Sequence, residues 1–196
     1  MEILSPELVL ECYLAGIFPM ADEEEKEIYF HSPEIRAIIP LDTYKCSKSL
    51  RPVLNKNTFE IRINHDFEAV INACSHPRSA DDGVWISEEM KAIYIKIHQM
   101  GFAHSVEAYY NDKLAGGLYG VAIGSVFFGE SMFYTVPNAS KVAFYHLIER
   151  LRSRNYKLLD TQYINANVAR FGAIEIPKTL FIEKLNSALA INNIFA

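Results

Sequence analysis

The sequence predicts an α+β chain built on a mixed sheet, not a doubly wound parallel one. Three observations carry this. Ala103 to Tyr110 and Leu114 to Ile123 read as strands joined by the turn Asn111-Asp112-Lys113, and Gly124-Ser125 turns again into Val126 to Ser131. Helical and strand periods then alternate to the end of the chain. The resulting order is helix, three antiparallel strands, helix, strand, helix, strand, helix, which groups strands first and interleaves helices later.

Each element has a local reason. Ser5-Pro6-Glu7 starts a helix, with Ser as cap and Pro at the first helical position, and Gly16 stops it; Leu8, Val9, Cys12 and Tyr13 form its apolar face. Ile17-Phe18-Pro19-Met20, an acidic loop, Phe30-His31-Ser32-Pro33 and Pro40 read as a small, loop-rich N-terminal unit over residues 1–43, with residues 44–196 forming the main domain. Thr58 to Asn64 alternates like a strand, and Phe67, Val70, Ile71 and Cys74 follow at helical spacing. Ser87 caps a helix with Met90, Ile93, Tyr94 and Ile97 on one face, closed by Gly101. Asn138 or Ser140 opens a helix carrying Phe144, Leu147, Ile148 and Leu151. Lys157 to Gln162 is a short strand, a short helix ends near Gly172, and Ala173 to Ile176 is the last strand. A final helix carries Phe181, Leu185, Ala188 and Leu189.

The 196 residues are 50% hydrophobic and 22% charged, which excludes general disorder. The longest uncharged run, Leu114 to Gly129, is sixteen residues with four internal glycines. That is short of the roughly 20 apolar residues of a membrane-spanning helix. The start of the chain has neither a basic nor an apolar leader region. Cys12, Cys46 and Cys74 are odd in number and far apart, unlike a disulfide framework or a thiolate metal site. These features predict a soluble, cytoplasmic, globular protein. The net charge of −5 is uneven: residues 1–42 carry −8, and residues 43–196 carry +3. Lys45, Lys48, Arg51, Lys56 and Arg62 stand together with only Glu60 against them. They form either a solvated polar stretch or a phosphate-binding surface.

The six histidines include no HExxH and no i, i+4 pair, so no metal site is expected. No G-x-S-x-G elbow, P-loop or G-x-G-x-x-G is present; the glycines at 116, 117, 120, 124 and 129 read as strand ends and close backbone approaches. Two polar insertions stand out. Leu158-Leu159-Asp160-Thr161-Gln162 puts Asp160 and Gln162 on one face of a strand, since side chains alternate with period two. Asp160 is either a strand-end carboxylate capping a loop or the first member of an Asp–Gln relay that polarises the amide. Glu130, within the aromatic run Phe127 to Phe133, is either paired with a buried base or holds a substrate amine.

Further wording is specific. Ala15-Gly16-Ile17-Phe18-Pro19, Ser32-Pro33-x-x-Arg36, Val84-Trp85-Ile86 and Ala103-His104-Ser105-Val106-Glu107 come first. Gly116-Gly117-Leu118-Tyr119-Gly120-Val121, Phe127-Phe128-Gly129-Glu130-Ser131-Met132-Phe133 and Asn138-Ala139-Ser140-Lys141 follow. Leu159-Asp160-x-Gln162 and Gly172-Ala173-x-Glu175-Ile176-Pro177 complete the order. From about Pro6 to Leu185 the chain resembles the bacterial leucyl/phenylalanyl-tRNA–protein transferases. The resemblance implies an acetyltransferase-like (GNAT-type) mixed sheet flanked by helices, behind a small N-terminal domain. It implies transfer of Leu or Phe, with Met a further candidate, from aminoacyl-tRNA to an N-terminal Arg or Lys of acceptor proteins, marking them for degradation. Residue by residue, Asp160 and Gln162 match the catalytic pair and Glu130 a substrate-site carboxylate. Leu118, Phe127, Leu147 and Leu151 match the side-chain pocket, and Trp85 matches an aromatic that stacks on the terminal adenine. Met20 stands where a second aromatic is usual. The five bases from Lys45 to Arg62 would then face the tRNA backbone. No cofactor or metal is expected, no membrane partner, and a monomer.

The chemistry fits. An aminoacyl ester is already activated, and good positioning alone lowers a barrier by roughly 7–11 kcal/mol. An α-amine with a pKa of about 7.7–8.0 is partly neutral at pH 7, so a weak relay suffices. Two alternatives are a CoA-dependent acetyltransferase on the same fold and a non-enzymatic tRNA-binding module. The first wants a glycine-spaced pyrophosphate loop, and none lies between Ser131 and Ser140. The second gives Asp160, Gln162 and Glu130 no reason to be in register.

Overall fold

The computed structural model describes residues 4–22, 27–76 and 86–196. Helix α1 (Pro6–Leu14) begins where the Ser5 hydroxyl accepts the Leu8 N–H, and it buries Val9 and Tyr13. Gly16, at φ +76°, turns the chain out of it into a hairpin, β1 (Phe18–Ala21) and β2 (Ile28–His31), with Phe18 opposite His31. Strand β3 (Ile35–Ile39) follows. Residues 17–40, expected to be loop-rich, thus hold three strands. Pro19 sits inside a strand of a two-stranded ribbon, where one side needs no N–H, and Pro33 and Pro40 flank β3 without interrupting it.

Next come α2 (Arg51–Asn55), which the sequence reading missed, β4 (Glu60–Ile63), α3 (Phe67–Cys74) and α4 (Glu88–Gln99). Asp66 and Ser87 cap the last two by accepting N–H groups of Ala69 and Met90. Strands β5 (Ala103–Tyr110) and β6 (Lys113–Ile123) form a hairpin whose Asn111 and Asp112 both have positive φ, as a two-residue turn of this hand requires. The chain ends β7 (Val126–Tyr134), α5 (Ala139–Ser153), β8 (Leu158–Asp160), α6 (Ala166–Arg170), β9 (Ile174–Pro177) and α7 (Lys178–Leu189).

Seven strands make one sheet in the order β4-β5-β6-β7-β8-β3-β9. Among the described strands only β7 and β8 run parallel, and α5 connects them. The α+β expectation holds: a large, mostly antiparallel sheet flanked by helices. Tyr119 and Leu118, adjacent in β6, point to opposite faces. Tyr119 joins a core with Tyr13, Ile71, Tyr94, Ile97 and Phe181; Leu118 joins one with Phe127, Phe144, Leu147, Leu151 and Leu159. β6 follows β7 as far as Tyr134, but β8 pairs with β7 only from Val126 to Phe128. Beyond Phe128 and Asp160 the two strands separate, and a cavity lies in that gap. No helix among the described residues is long and apolar enough to cross a membrane.

Candidate active site

A cavity of about 190 Å³ opens where β7 and β8 part. Gly129 to Met132 form one wall and Thr161 to Tyr163 with Asn165, Asn167 and Val168 the other. Leu118, Phe144, Leu147 and Leu159 supply apolar lining, and Phe18 and Met20 reach in from β1.

Glu130 is the centre of the polar wall. Its Oε1 accepts from the Tyr13 hydroxyl at 2.7 Å and from Gln162 Nε2 at 3.0 Å, and its Oε2 accepts from the Tyr94 hydroxyl at 3.1 Å. The two tyrosine hydroxyls also lie 2.6 Å apart, and with one proton each they serve two of these three contacts at a time. Burial pushes the Glu130 carboxyl up to about 7, while the hydrogen bonds from Tyr13 and Tyr94 pull the other way. Burial first, then the charge of Glu130, drives both tyrosines well above their ordinary range, so they act here as neutral donors. The Tyr119 hydroxyl is buried and has no hydrogen-bond partner among the described residues.

Gln162 is not on a strand. β8 ends at Asp160, and Gln162 takes the left-handed conformation at φ +59°. The side chains of Asp160 and Gln162 do not bond each other. Asp160 Oδ1 accepts the main-chain N–H of Gln162 at 3.0 Å, and the Gln162 amide nitrogen is committed to Glu130. Asp160 is fully buried in a two-pronged ion pair with Arg36, at 2.9 Å to Nε and 2.6 Å to Nη2.

Of the residues singled out in the sequence, Glu130, Gln162, Leu118, Leu147 and Met20 line the cavity. Phe127 and Leu151 are buried in the same core but lie behind the lining, and Asp160 is likewise outside it. Trp85 lies outside the described residues. Lys45, Lys48, Arg51 and Lys56 are exposed on and around α2. Arg62 differs: it pairs with Glu60 at 2.7 Å and Asp112 at 3.7 Å and covers the Tyr109 ring. Tyr13, Tyr94 and Arg36 were missed as site residues. Tyr13 and Tyr94 read as core positions on helix faces, and no local signal shows that their hydroxyls converge on a strand far along the chain.

Two family models match. One, for the leucyl/phenylalanyl-tRNA protein transferase, covers residues 38–186, and one for the N-terminal domain of that transferase covers residues 2–34. Proteins named leucyl/phenylalanyl-tRNA–protein transferase are 47% identical over 92% of this chain and 93% of the relative in Prosthecochloris aestuarii. The relative in Gloeobacter violaceus is 46% identical over 96% of this chain and 95% of its own. That in Rubrobacter xylanophilus is 48% identical over 98% and 99%. Among solved structures, L-PGS from Bacillus licheniformis aligns at a TM-score of 0.49 and 15% identity, over 92% of this chain and 68% of that one. The chain therefore belongs to the leucyl/phenylalanyl-tRNA protein transferase family.

Proposed function

We propose that this protein transfers Leu or Phe, with Met as a further donor, from aminoacyl-tRNA to the α-amino group of an acceptor beginning with Arg or Lys, marking it for degradation. The observation that carries this is the apolar cavity whose polar wall is the Glu130–Gln162 pair. An apolar cavity of about 150 Å³ admits a benzene ring, so the one here suits a Leu or Phe side chain. Leu118 and Leu147 contact that side chain, and Phe127 and Leu151 support them from behind. A pocket of this kind separates near-homologues by only about 1–3 kcal/mol per methylene, which fits mixed Leu and Phe use.

Glu130, half ionised near neutral pH, holds the donor's α-amine. Because the Gln162 nitrogen is given to Glu130, its carbonyl oxygen is left to accept a hydrogen bond from the attacking amine. The amine nitrogen bonds the ester carbonyl carbon and sheds a proton; the carbon–oxygen bond to the ribose breaks, and the ribose oxygen takes a proton up. No step needs ATP or a metal. Asp160 serves the pair through the Gln162 main chain. Trp85 and Met20 flank the terminal adenine, and Lys45, Lys48, Arg51 and Lys56 meet the tRNA backbone, with Arg62 contributing less because acids already pair with it. Residues 1–43 are the small N-terminal unit that lends β1 to the cavity and β3 to the sheet, and residues 44–196 are the catalytic unit. An antiparallel run followed by a helical crossover into parallel β8 supports an acetyltransferase (GNAT) type for the latter. A tRNA substrate calls for the cytoplasm, and we read the protein as a monomer.

CoA is a poor fit as the donor. Its pyrophosphate would need the first turn of α5. There Ala139 N–H is bound to Val136 O, and β6 packs so close that a Cβ on Gly116 would stand 2.9 Å from Ser140 N. The test offers [14C]acetyl-CoA and [14C]Leu-tRNA to the same Arg-initiated peptide. Label transferred only from the tRNA is expected; acetyl transfer would overturn the reading.

A further inference from the structure

The reaction above gives no part to Arg36, which belongs to no apolar face and is yet the largest fully buried side chain among the described residues. Its guanidinium is sealed. Nε and Nη2 hold Asp160, Nη1 donates to the Gly16 carbonyl at 3.1 Å, and the plane lies 4.4 Å from the Phe18 ring centre and 4.5 Å from that of Phe181. Sealing an ion pair away from water costs about as much as the pair returns, so stability alone is a weak reason for it.

The geometry leads from Arg36 to the site. Asp160 has no exposure and does not reach the cavity, and both its oxygens are engaged by Arg36. What it touches beyond Arg36 is the Gln162 N–H. The Gln162 carbonyl is gripped as well, accepting the Ala37 N–H at 2.9 Å. Adjacent residues of β3 therefore clamp Gln162 from two sides, one directly and one through Asp160. A non-glycine residue with its backbone at φ +59° is strained and persists only when its surroundings hold it.

We infer that Arg36 is a positioning residue: through Asp160, and together with the Ala37 N–H, it locks Gln162 in the left-handed turn that aims its amide at Glu130. This rests on the reading that Gln162 works against the substrate. The test uses Arg36→Lys, which keeps the cation and loses the fork, Asp160→Asn, and the two combined. Single-turnover transfer at saturating Leu-tRNA should slow about 10²-fold in each single variant, as small misplacements of reacting groups do, with aminoacyl-tRNA affinity unchanged. The double variant should be no slower than the slower single one, since the residues act in series. Amide exchange supplies a readout free of activity: the Gln162 N–H should exchange faster in Arg36→Lys, while Leu159 N–H stays protected. Should Arg36→Lys not fold, Asp160→Asn reads the same clamp from its other end. Wild-type rates in the variants, multiplied losses, or unchanged Gln162 protection would each overturn the inference. Absence of transfer by the wild-type protein would instead sink the activity reading, and Gln162 exchange would still decide this one.

Discussion

Replacing Tyr13 by Phe should move the pH profile of transfer to higher pH. The Tyr13 hydroxyl lies 2.7 Å from Glu130 Oε1 and lowers a carboxyl that burial has pushed up to about 7. A hydrogen bond to a charged group contributes about 1.5–3 kcal/mol, which at about 1.36 kcal/mol per pH unit is one to two units. Tyr94 and Gln162 remain bonded to Glu130 and take up part of the loss. The net expectation is an upward move of about one unit, so the acid limb of the transfer rate should shift from near pH 7 to near pH 8. The ring is retained, and with it the 4.7 Å contact with Phe128. Single-turnover rates from pH 5.5 to 9 with one acceptor peptide provide the assay, because the acceptor amine titrates identically with both proteins. An acid limb that stays put, or moves down, would refute the role given to Glu130 and its tyrosines. Stability carries the same group with opposite consequence. Its folded value lies above the unfolded one of about 4.3, so the folded protein holds more protons between those values, and stability falls as pH rises through that window before levelling above about 7.

Neutralising Lys48 and Arg51 together should lower the slope of log affinity against log salt for tRNA by about 1.5, measured by filter binding between 50 and 200 mM salt. Leu147→Ala opens the cavity wall; it should cost about 2–5 kcal/mol in thermal unfolding and raise transfer of Phe relative to Leu in a competition assay. Gly116→Ala puts a methyl group 2.6 Å from the Ala139 side chain and should cost about 1–3 kcal/mol in chemical denaturation. Trp85 is the sole Trp, so an aminoacyl-adenosine mimic should quench the protein's indole fluorescence if stacking worth about 1–3 kcal/mol occurs there.

The central strands and long helices were legible because each carries a strong local signal. β5 falls on Ala103–Tyr110, the run that the following turn marks as a strand, and the buried set of α4, Met90, Ile93, Tyr94 and Ile97, is the face its spacing gives. β3 was not legible: Ile35-Arg36-Ala37-Ile38-Ile39 has a charge where a central strand wants an apolar residue, and the carboxylate that accepts that charge lies 124 residues away. The pairing of Asp160 with Gln162 came from extending a period of two past the strand end. A positive φ at a Gln leaves no mark in composition. Glu130 could be singled out as an isolated carboxylate in an aromatic strand, but the buried base offered as its partner is not there among the described residues. Two tyrosines and an amide take the place of a buried base, and the strand separation that opens the cavity depends on register, which no single segment encodes.

The most direct measurement of the central claim is transfer of labelled Leu, Phe and Met from charged tRNA to peptides that differ only in beginning with Arg, Lys or Ala. The account predicts label on the Arg and Lys peptides from Leu-tRNA and Phe-tRNA, no label on the Ala peptide, and loss of transfer in Gln162→Glu with tRNA binding retained. Equal labelling of all three peptides, or full activity in Gln162→Glu, would contradict it.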